Sequence, residues 1–226
     1  PPPRVAPVVI NELLTASVPP RLDAIELFNP APTPSDIGGW FLSADPAAPR
    51  KCRILPGTAI GAQGFQVFGE RDFNPTPGTN SSFALSADGD SVYLFSADAA
   101  GTLTGYSHGF RFGAAEPGVT FGRHLDSVGE EHFPAQETPT LGEANSGPRV
   151  GPVVLNEIHY HPPAAGDEFV ELRNITGAAV TLYDPSFPTN TWRVAGLGYD
   201  LPAGLTLEPG AFLLLVATNP ADFRAR

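Results

Sequence analysis

The stretch VVLNEIHYHPPAAGDEFVELRN, residues 153–174, decides the fold because the chain contains it twice. The earlier copy reads VVINELLTASVPPRLDAIELFN, residues 8–29, and the two stretches align without a gap. The identical pairs include Asn11 and Asn156, Glu12 and Glu157, Glu26 and Glu171, Leu27 and Leu172, and Asn29 and Asn174. A repeat whose period is about one ordinary domain long indicates two tandem modules and not a solenoid of short repeats.

The repeat also sets the predicted domain boundaries. We expect a first domain over residues 1–147, with a linker at its C-terminal end, and a second domain over residues 148–226. The second copy repeats the first two strands and a tryptophan strand, with Trp192 in the place of Trp40. It has no counterpart of residues 83–123, so the second domain is predicted to hold only the N-terminal part of the unit.

Short apolar runs between turn-forming residues dominate the rest of the sequence. The 26 prolines and 24 glycines are scattered between these runs, which is typical of many strands joined by turns. In AIELF, residues 24–28, alternation places Ile25 and Leu27 inward and Glu26 outward. No apolar stripe with helical spacing persists, so we predict an all-β fold of the sandwich type without a substantial helix.

Two hairpins are predicted in the first domain. In FALSADGDSVYLF, residues 83–95, Asp88-Gly89 supplies a tight turn between two alternating runs. A second hairpin is expected across residues 103–112 and 119–123. Residues 1–7, rich in proline, should form an extended lead-in to the first strand.

The incomplete second copy is expected to expose apolar surface. Without the missing strands, Phe212, Leu214 and Val216 would lie on the wet face of a half sandwich, and such patches are rare on soluble monomers. We therefore expect one of two arrangements. Either the parent polypeptide continues past Arg226, or a neighbouring molecule, including a further copy of this chain, supplies the strands by β-augmentation.

Charge and composition exclude several classes of function. A net charge of −11 argues against nucleic acid as a partner, because binding a phosphate backbone requires clustered Lys and Arg. No apolar run approaches the ~20 residues of a membrane-spanning helix. The single cysteine, Cys52, stands in the alternating run KCRIL and is predicted to be a buried apolar residue and not a nucleophile.

The order of these motifs resembles that of a known family. The series VVINEL, DAIELFNPAP, IGGWFLS and FALSADGDSVYLF, with VVLNEIHYHP and DEFVELRNIT in the second copy, resembles the bacterial lamin-tail domain over residues 5–145 and, in part, over residues 150–226. The resemblance implies tandem immunoglobulin-like β-sandwiches that serve as non-catalytic modules of large secreted or cell-surface proteins. Glu26 stands where a lamin tail is expected to carry a basic residue, so the DNA-binding role of nuclear lamins is not carried over.

Three side chains of the second copy form a candidate metal site. Glu157, His159 and His161 alternate along one predicted strand and should therefore share a face. Two imidazoles and a carboxylate are suitable ligands for zinc or copper. The first copy has no histidine at the matching positions, which favours solvent-facing histidines without a metal.

The repeated glutamates form a second candidate site. If the first two strands of each copy pair antiparallel, Glu12 lies beside Glu26, and Glu157 lies beside Glu171. Like charges at this spacing call for a positive partner, and the favoured one is an Arg or Lys from a third strand. Calcium is the alternative, although it takes 6–8 oxygen ligands and no loop of the chain is strongly acidic.

The sequence contains none of the motifs typical of catalysis. It lacks a Gly-x-Ser-x-Gly elbow, an HExxH motif, a phosphate-binding glycine loop and a Cys-His pair. Trp40 and Trp192 are expected to anchor the cores of the two sandwiches, with a sugar-stacking platform as the alternative.

These observations predict an extracellular structural or adhesive module without a cofactor. It is expected to act through protein–protein contacts, in a fibre or surface assembly. One alternative is the accessory domain of a larger secreted enzyme, such as a nuclease, a phosphodiesterase or a spore-coat-kinase-like enzyme. The other is a metal-dependent carbohydrate-binding module, which rests on the histidines and tryptophans described above.

Overall fold

A computed structural model of the chain describes residues 7–162 and 166–225, and it confirms the predicted all-β fold. All strand pairs within these residues are antiparallel. The helices of the described residues are α1 (Glu70–Phe73), the 3-10 turn Ala195–Leu197 and α2 (Pro220–Arg224). None of the described helices is long and apolar enough to cross a membrane. The lead-in expected at the N-terminus lies, up to residue 6, outside the described residues.

The chain forms two compact units, residues 1–149 (the first unit) and residues 150–226 (the second unit). The strands described in the first unit are β1 (Val9–Leu14), β2 (Ala24–Phe28), β3 (Ser35–Asp36), β4 (Phe41–Ser43), β5 (Cys52–Arg53), β6 (Ala59–Ile60), β7 (Phe65–Gly69), β8 (Asp90–Ala97), β9 (Leu103–Phe112), β10 (Phe121–Gly122), β11 (His124–Leu125) and β12 (Glu131–His132). Those described in the second unit are β13 (Val153–His159), β14 (Phe169–Asn174), β15 (Val180–Thr181), β16 (Tyr183–Asp184), β17 (Phe187–Thr191), β18 (Arg193–Val194), β19 (Tyr199–Asp200), β20 (Thr206–Leu207) and β21 (Phe212–Val216).

The first unit is a sandwich of two four-stranded sheets. One sheet has the order β10-β1-β2-β7 and the other the order β5-β4-β8-β9, and residues of both sheets meet in one core. Ile10, Leu13 and Ile25 enter this core from the first sheet, and Val92 and Leu94 enter it from the second. All five are fully buried, and each contributes roughly 1.5–3 kcal/mol relative to an exposed side chain.

Two residues singled out from the sequence lie in this core, as predicted. Trp40 is buried and packs against Tyr106 of β9, with ring centroids 6.0 Å apart. Cys52 is buried on β5, and its thiol donates a hydrogen bond to the carbonyl of Asp72 at 3.3 Å. Burial raises the pKa of the Cys52 thiol to about 11, so it carries no charge at neutral pH.

The hairpin predicted over residues 83–95 is wrong, because residues 83–89 form no strand and β8 pairs with β4 and β9. The hairpin predicted between residues 103–112 and 119–123 is also wrong, since β10 pairs with β1 instead. The hairpin that forms joins β8 to β9. At its turn, the Asp98 carboxylate accepts a hydrogen bond from the Thr102 amide at 2.8 Å. A strand lies on each side of this turn, β8 before it and β9 after it, whereas Asp88-Gly89 has a strand only on its C-terminal side.

The polar stretch predicted to end in a linker packs back onto the first unit. Gln136 is 1% exposed, and its backbone amide donates a hydrogen bond to the carbonyl of Thr120 at 2.8 Å. The amide of Arg149 donates to the carbonyl of Ala135 at 2.7 Å. Residues as far as Arg149 are therefore integral to the first unit.

The second unit contains one three-stranded sheet, β13-β14-β21, and a smaller core. The pairs β15–β20, β16–β17 and β18–β19 form short two-stranded ladders beside it. The buried core residues are Val170, Leu172, Leu182, Leu201 and Leu207. No second large sheet lies over this core in the part of the unit that the structure describes.

The N-terminal parts of the two units have the same strand pairing. The register of β1 with β2 equals that of β13 with β14, including a β-bulge at Asn11 in one and at Asn156 in the other. The ladder β3–β6 of the first unit likewise corresponds to β15–β20 of the second. The second unit differs by the hairpin β16–β17, which precedes Trp192.

A buried asparagine organises the loops after the second strand in both units. Asn29 and Asn174 are each fully buried, and each donates from Nδ2 to three backbone carbonyls at 2.7–3.1 Å. The acceptors are Thr33, Ile60 and Gly61 for Asn29, and Ala178, Leu207 and Glu208 for Asn174. The asparagine shared by the repeat therefore ties the second strand to the same loop in each unit.

Candidate functional site

Two opposed glutamates mark the outer face of the first sheet. Glu12 on β1 lies directly opposite Glu26 on β2, as the predicted antiparallel pairing requires. Both side chains are 0% exposed, although Glu26 is predicted to face outward. The bulged Asn11 donates from Nδ2 to Glu26 Oε1 at 2.8 Å. Because neither carboxylate reaches water, both depend on hydrogen-bond donors from elsewhere in the chain.

Residues 136–147, the cap segment, supply these donors. Thr140 donates to Glu12 from its amide at 2.9 Å and from its hydroxyl at 2.8 Å. The amide of Gly142 donates to Glu26 Oε2. The favoured prediction of an Arg or Lys partner is therefore wrong, because backbone amides and a hydroxyl take that role.

The cap segment is also fixed to the bulge of β1. Asn145 Oδ1 accepts from Asn11 Nδ2 at 2.8 Å, and Asn145 Nδ2 donates to the carbonyl of Asn11 at 3.2 Å. The same Nδ2 donates to the carbonyl of Arg123 at 2.9 Å. The carbonyl of Asn11 also accepts from the amide of Arg123 at 2.7 Å, so the bulge is bound both by the residue after β10 and by the cap segment.

A glycine on β10 makes room for the start of the cap segment. A Cβ at Gly122 would lie 2.2 Å from the side-chain amide of Gln136, which is buried and has no space to retreat. Gln136 in turn accepts from the amide of Gly147 at 3.2 Å through Oε1. Gly122 is therefore required for the cap segment to lie on the outer face.

Burial and hydrogen bonding act in opposite directions on the pKa of Glu26. Burial raises the pKa of Glu26, and the nearby charge of Glu12 adds to this shift. The hydrogen bonds from Gly142 and Asn11 oppose it, because they stabilise the carboxylate form. The amide of Gly142 in the cap segment thus favours the carboxylate form of Glu26.

The second unit contains the same pair without a cap. Glu157 on β13 lies opposite Glu171 on β14, and Asn156 donates to Glu171 Oε1 at 2.6 Å. Asn156 and Glu157 are exposed and Glu171 is half-buried. No described residue donates a hydrogen bond to Glu157, and none of the described residues of the unit takes the place of the cap segment.

The inner face and the edge of the same strand are open as well. Leu155 and Ile158 are each 58% exposed, whereas their equivalents Ile10 and Leu13 are 0% exposed under the second sheet of the first unit. β10 covers the outer edge of β1. Among the described residues of the second unit, no strand pairs with the corresponding edge of β13.

A groove of about 560 Å³ runs over one end of this open sheet. Its apolar lining includes Ile158, Tyr160, Val170, Leu197, Tyr199 and Leu215. Trp192 is 41% exposed, contrary to its predicted core position. In the first unit Trp40 is covered by Tyr106 of β9, and the second unit has no counterpart of that strand.

Phe212 and Leu214 are exposed, as predicted for the incomplete second copy, but they lie on the outer face of the sheet and not on the face that packs on the core. The alternate residues of β21 pack on the core, and Leu214 lies opposite Glu171 on the outer face. Phe212 is exposed on the same face, where the Arg173 guanidinium lies 5.1 Å from its ring centroid. The outer face of the second unit thus combines carboxylates with exposed apolar side chains.

The candidate metal ligands are only partly gathered. Glu157 and His159 share the outer face of β13, as predicted, whereas His161 follows the end of the strand. His159 stacks on Phe169, with ring centroids 5.1 Å apart. Within the described ranges, these three residues do not bring their ligand atoms within 4.8 Å of one another.

A different group of ligand atoms does meet that distance among the described residues. It consists of Asp126, Glu130 and His132, at the exposed turn between β11 and β12. The carboxylate of Asp126 accepts from the amides of Val128 and Glu130 and lies 3.1 Å from His132 Nε2. Turn formation accounts for this cluster, which sequence reasoning did not single out.

Comparison with protein-family models, with curated proteins and with solved structures finds no match for this chain.

Proposed function

We propose that the chain is a non-catalytic, lamin-tail-like interaction module of a secreted or cell-surface protein, and that its second unit binds protein partners through β13. The resemblance of the repeated motifs to lamin-tail domains supports the location and the structural role. The all-β architecture is compatible with that family. The site itself rests on the geometry of β13.

The observation that carries the proposal is the difference between β1 and its equivalent β13. β1 has a paired outer edge and fully buried inner side chains. β13 presents an unpaired edge in the described structure, next to the exposed side chains of Leu155 and Ile158. An open edge beside an apolar face is the arrangement that accepts an added strand, with backbone hydrogen bonds for affinity and side-chain burial for specificity.

A second copy of the chain is the partner to test first. Two β13 edges that pair antiparallel would form a symmetric contact, in which each strand completes the other. We expect sedimentation equilibrium to show a weight-average mass that rises with concentration toward that of a dimer. A double substitution, Leu155→Ser with Ile158→Ser, should keep the chain monomeric, because it removes the apolar area that the contact buries.

Phe187→Ser provides the matched control, since Phe187 is 68% exposed on a different strand of the second unit. This variant should associate like the wild type. A wild-type chain that stays monomeric at every concentration would contradict the proposal, and so would a double variant that associates as strongly as the wild type.

A further inference from the structure

The cap segment shows which donor groups fit the glutamate pair of the first unit, and the same donors would fit the equivalent pair of the second unit. Glu12 takes two donors from one threonine, and Glu26 takes one donor from a glycine amide two residues later. Asn11 exchanges hydrogen bonds with Asn145. The sequence that makes these contacts is Thr-x-Gly-x-x-Asn, residues 140–145.

Each residue type of this run has a physical reason. Threonine offers an amide and a hydroxyl to the two oxygens of one carboxylate. Gly142 has a φ of +95°, which L side chains rarely adopt, and this conformation directs its amide at the second carboxylate. Asn145 is both donor and acceptor, so it matches the side chain and the carbonyl of the bulged asparagine together.

The second unit presents the same acceptors in the same register. Glu157 and Glu171 are paired as Glu12 and Glu26 are, and the bulge falls at Asn156. Asn156 already donates to Glu171 Oε1, which is the contact that Asn11 makes with Glu26. Both oxygens of Glu157 and one oxygen of Glu171 are left without a donor among the described residues.

We propose that the outer face of β13 and β14 binds a Thr-x-Gly-x-x-Asn segment of a partner protein, in the turn conformation that residues 140–143 adopt in the cap segment. The threonine donates twice to Glu157, the glycine amide donates to Glu171, and the asparagine pairs with Asn156. The side chains of Leu214 and Phe212 lie on the same sheet face and offer apolar contact beside these polar groups.

The partner is a polypeptide other than a second copy of this chain. Residues 140–145 are the chain's one Thr-x-Gly-x-x-Asn run, and they are engaged with Glu12 and Glu26. Giving up this segment would leave the buried Glu12 without its two donors and Glu26 without the donor to Oε2. The inference rests on the proposed role as a protein-binding module, but it uses the face of β13 opposite to Leu155 and Ile158.

The test uses the intact chain and a fluorescein-labelled synthetic peptide of residues 134–148, followed by fluorescence anisotropy. We expect saturable binding to the wild type. Glu157→Ala and Glu171→Ala should each weaken it about tenfold or more, because each removes a charge-assisted hydrogen bond. Glu208→Ala, an exposed glutamate of the same unit, should change it less than twofold.

Peptide variants test the same contacts from the other side. Thr140→Val, Gly142→Ala and Asn145→Ala in the peptide should each weaken binding about tenfold, and a scrambled peptide should not bind. Circular dichroism should show unchanged melting for the Glu157 variant, since this side chain is exposed. Loss of binding is then assigned to the face and not to unfolding.

Three results would overturn the inference. They are a wild-type chain that shows no saturable binding, binding that persists when Glu157 and Glu171 are both replaced, and self-association of the chain that Glu171→Ala abolishes. The double variant Leu155→Ser, Ile158→Ser should bind the peptide within twofold of the wild type. A failure of dimerisation through the inner face and a failure of peptide binding are therefore distinguishable.

Discussion

β1 and β13 have nearly the same sequence, the same partner strand and the same bulge, yet one is enclosed and the other is open. Every residue of β1 is buried, whereas the central residues of β13 are exposed. The difference arises from residues 83–149, which supply strands β8 and β9 of the second sheet, the edge strand β10 and the cap segment of the first unit. Strand pairing is therefore a local property of this repeat, whereas burial depends on residues distant in sequence.

The features common to both units are those that need only residues present in both copies of the repeat. The bulge involves two adjacent strands, and the contacts of Asn29 and Asn174 reach Gly61 and Glu208, respectively, which both copies contain. The features that differ, such as the exposure of Trp192, depend on strands found only in the first unit. The comparison thus separates the part of the fold that is self-sufficient from the part that needs a partner.

Truncating the inner-face side chains should give the largest difference between the units. Leu13→Ala should destabilise the first unit by about 3 kcal/mol, because it leaves a cavity in a closed core. Ile158→Ala should cost less than about 1 kcal/mol in the second unit, since that side chain is 58% exposed. Urea unfolding followed by tryptophan fluorescence measures each unit separately, because each contains one tryptophan.

Trp192→Phe leaves Trp40 as the single source of tryptophan fluorescence, so the signal reports only the first unit. The substitution should change the stability of the second unit little, because Trp192 is partly exposed. Both alanine variants are compared in that background and in the wild type. Equal losses at Leu13 and Ile158 would show that β13 is enclosed in solution as β1 is. In that case the open face would not exist in the free chain.

Substituting the buried asparagines should affect both units alike. Asn29→Ala and Asn174→Ala should each destabilise their unit by about 2 kcal/mol, because three buried carbonyls lose their donor. Asn80→Ala, at an exposed position in a loop, is the control and should change stability by less than about 0.5 kcal/mol. A loss of stability in only one unit would mean that the loop geometry shared by the two units does not stabilise both equally.

The cap segment should matter in one unit only. Thr140→Val removes the hydroxyl that donates to Glu12 and should destabilise the first unit by about 1.5 kcal/mol. Thr138→Val is the matched control, because its hydroxyl makes no contact with the glutamate pair. In the second unit, Glu157→Gln should change stability by less than about 0.5 kcal/mol. A marked loss there would indicate that Glu157 already has a partner within the chain.

Repeat comparison predicted the pairing correctly, because pairing depends on residues that the repeat contains. The opposed glutamates in each unit follow directly from the alignment of Glu12 with Glu157 and Glu26 with Glu171. The all-β class followed from the short alternating runs and the absence of a helical stripe. The exposure of Phe212 and Leu214 was predicted correctly and only their face was not, since a shift by one residue exchanges the two faces of a strand.

The cap segment was not predictable from the same signals. Residues 136–147 have no apolar periodicity and occur only once, so neither pattern nor repeat pointed to them. Their polar, glycine-containing sequence is typical of a linker, and this interpretation hid the donors Thr140, Gly142 and Asn145. The one available sign was the repeated pair of carboxylates, which required donors that the strands themselves do not supply.

The smallest expected effect is a pH dependence confined to the first unit. His108 on β9 accepts a hydrogen bond from the Ile10 amide at 3.0 Å through Nδ1, and its Nε2 lies 2.8 Å from Glu131. Burial lowers the pKa of His108 below its ordinary value of 6.5, an effect that Glu131 opposes and Arg123 reinforces. Because the folded state favours neutral imidazole, this contribution to stability is complete above pH 6.5 and is lost as the pH falls through the folded pKa.

His108→Gln should therefore flatten the loss of stability of the first unit below pH 6.5, as measured by urea unfolding of the Trp192→Phe background at several pH values. No strand described in the second unit corresponds to β9, so the transition reported by Trp192 should have the same pH profile in the wild type and in the His108 variant. Burial also raises the pKa of Glu26, which lowers stability as the pH rises through its folded value. Since both proteins contain Glu26, the difference between their profiles of stability against pH isolates the contribution of His108.

An identical slope of stability against pH in the two proteins would contradict the prediction. It would show that the imidazole does not bind the β1 backbone in solution, and that β1 and β13 are less different than their burial indicates.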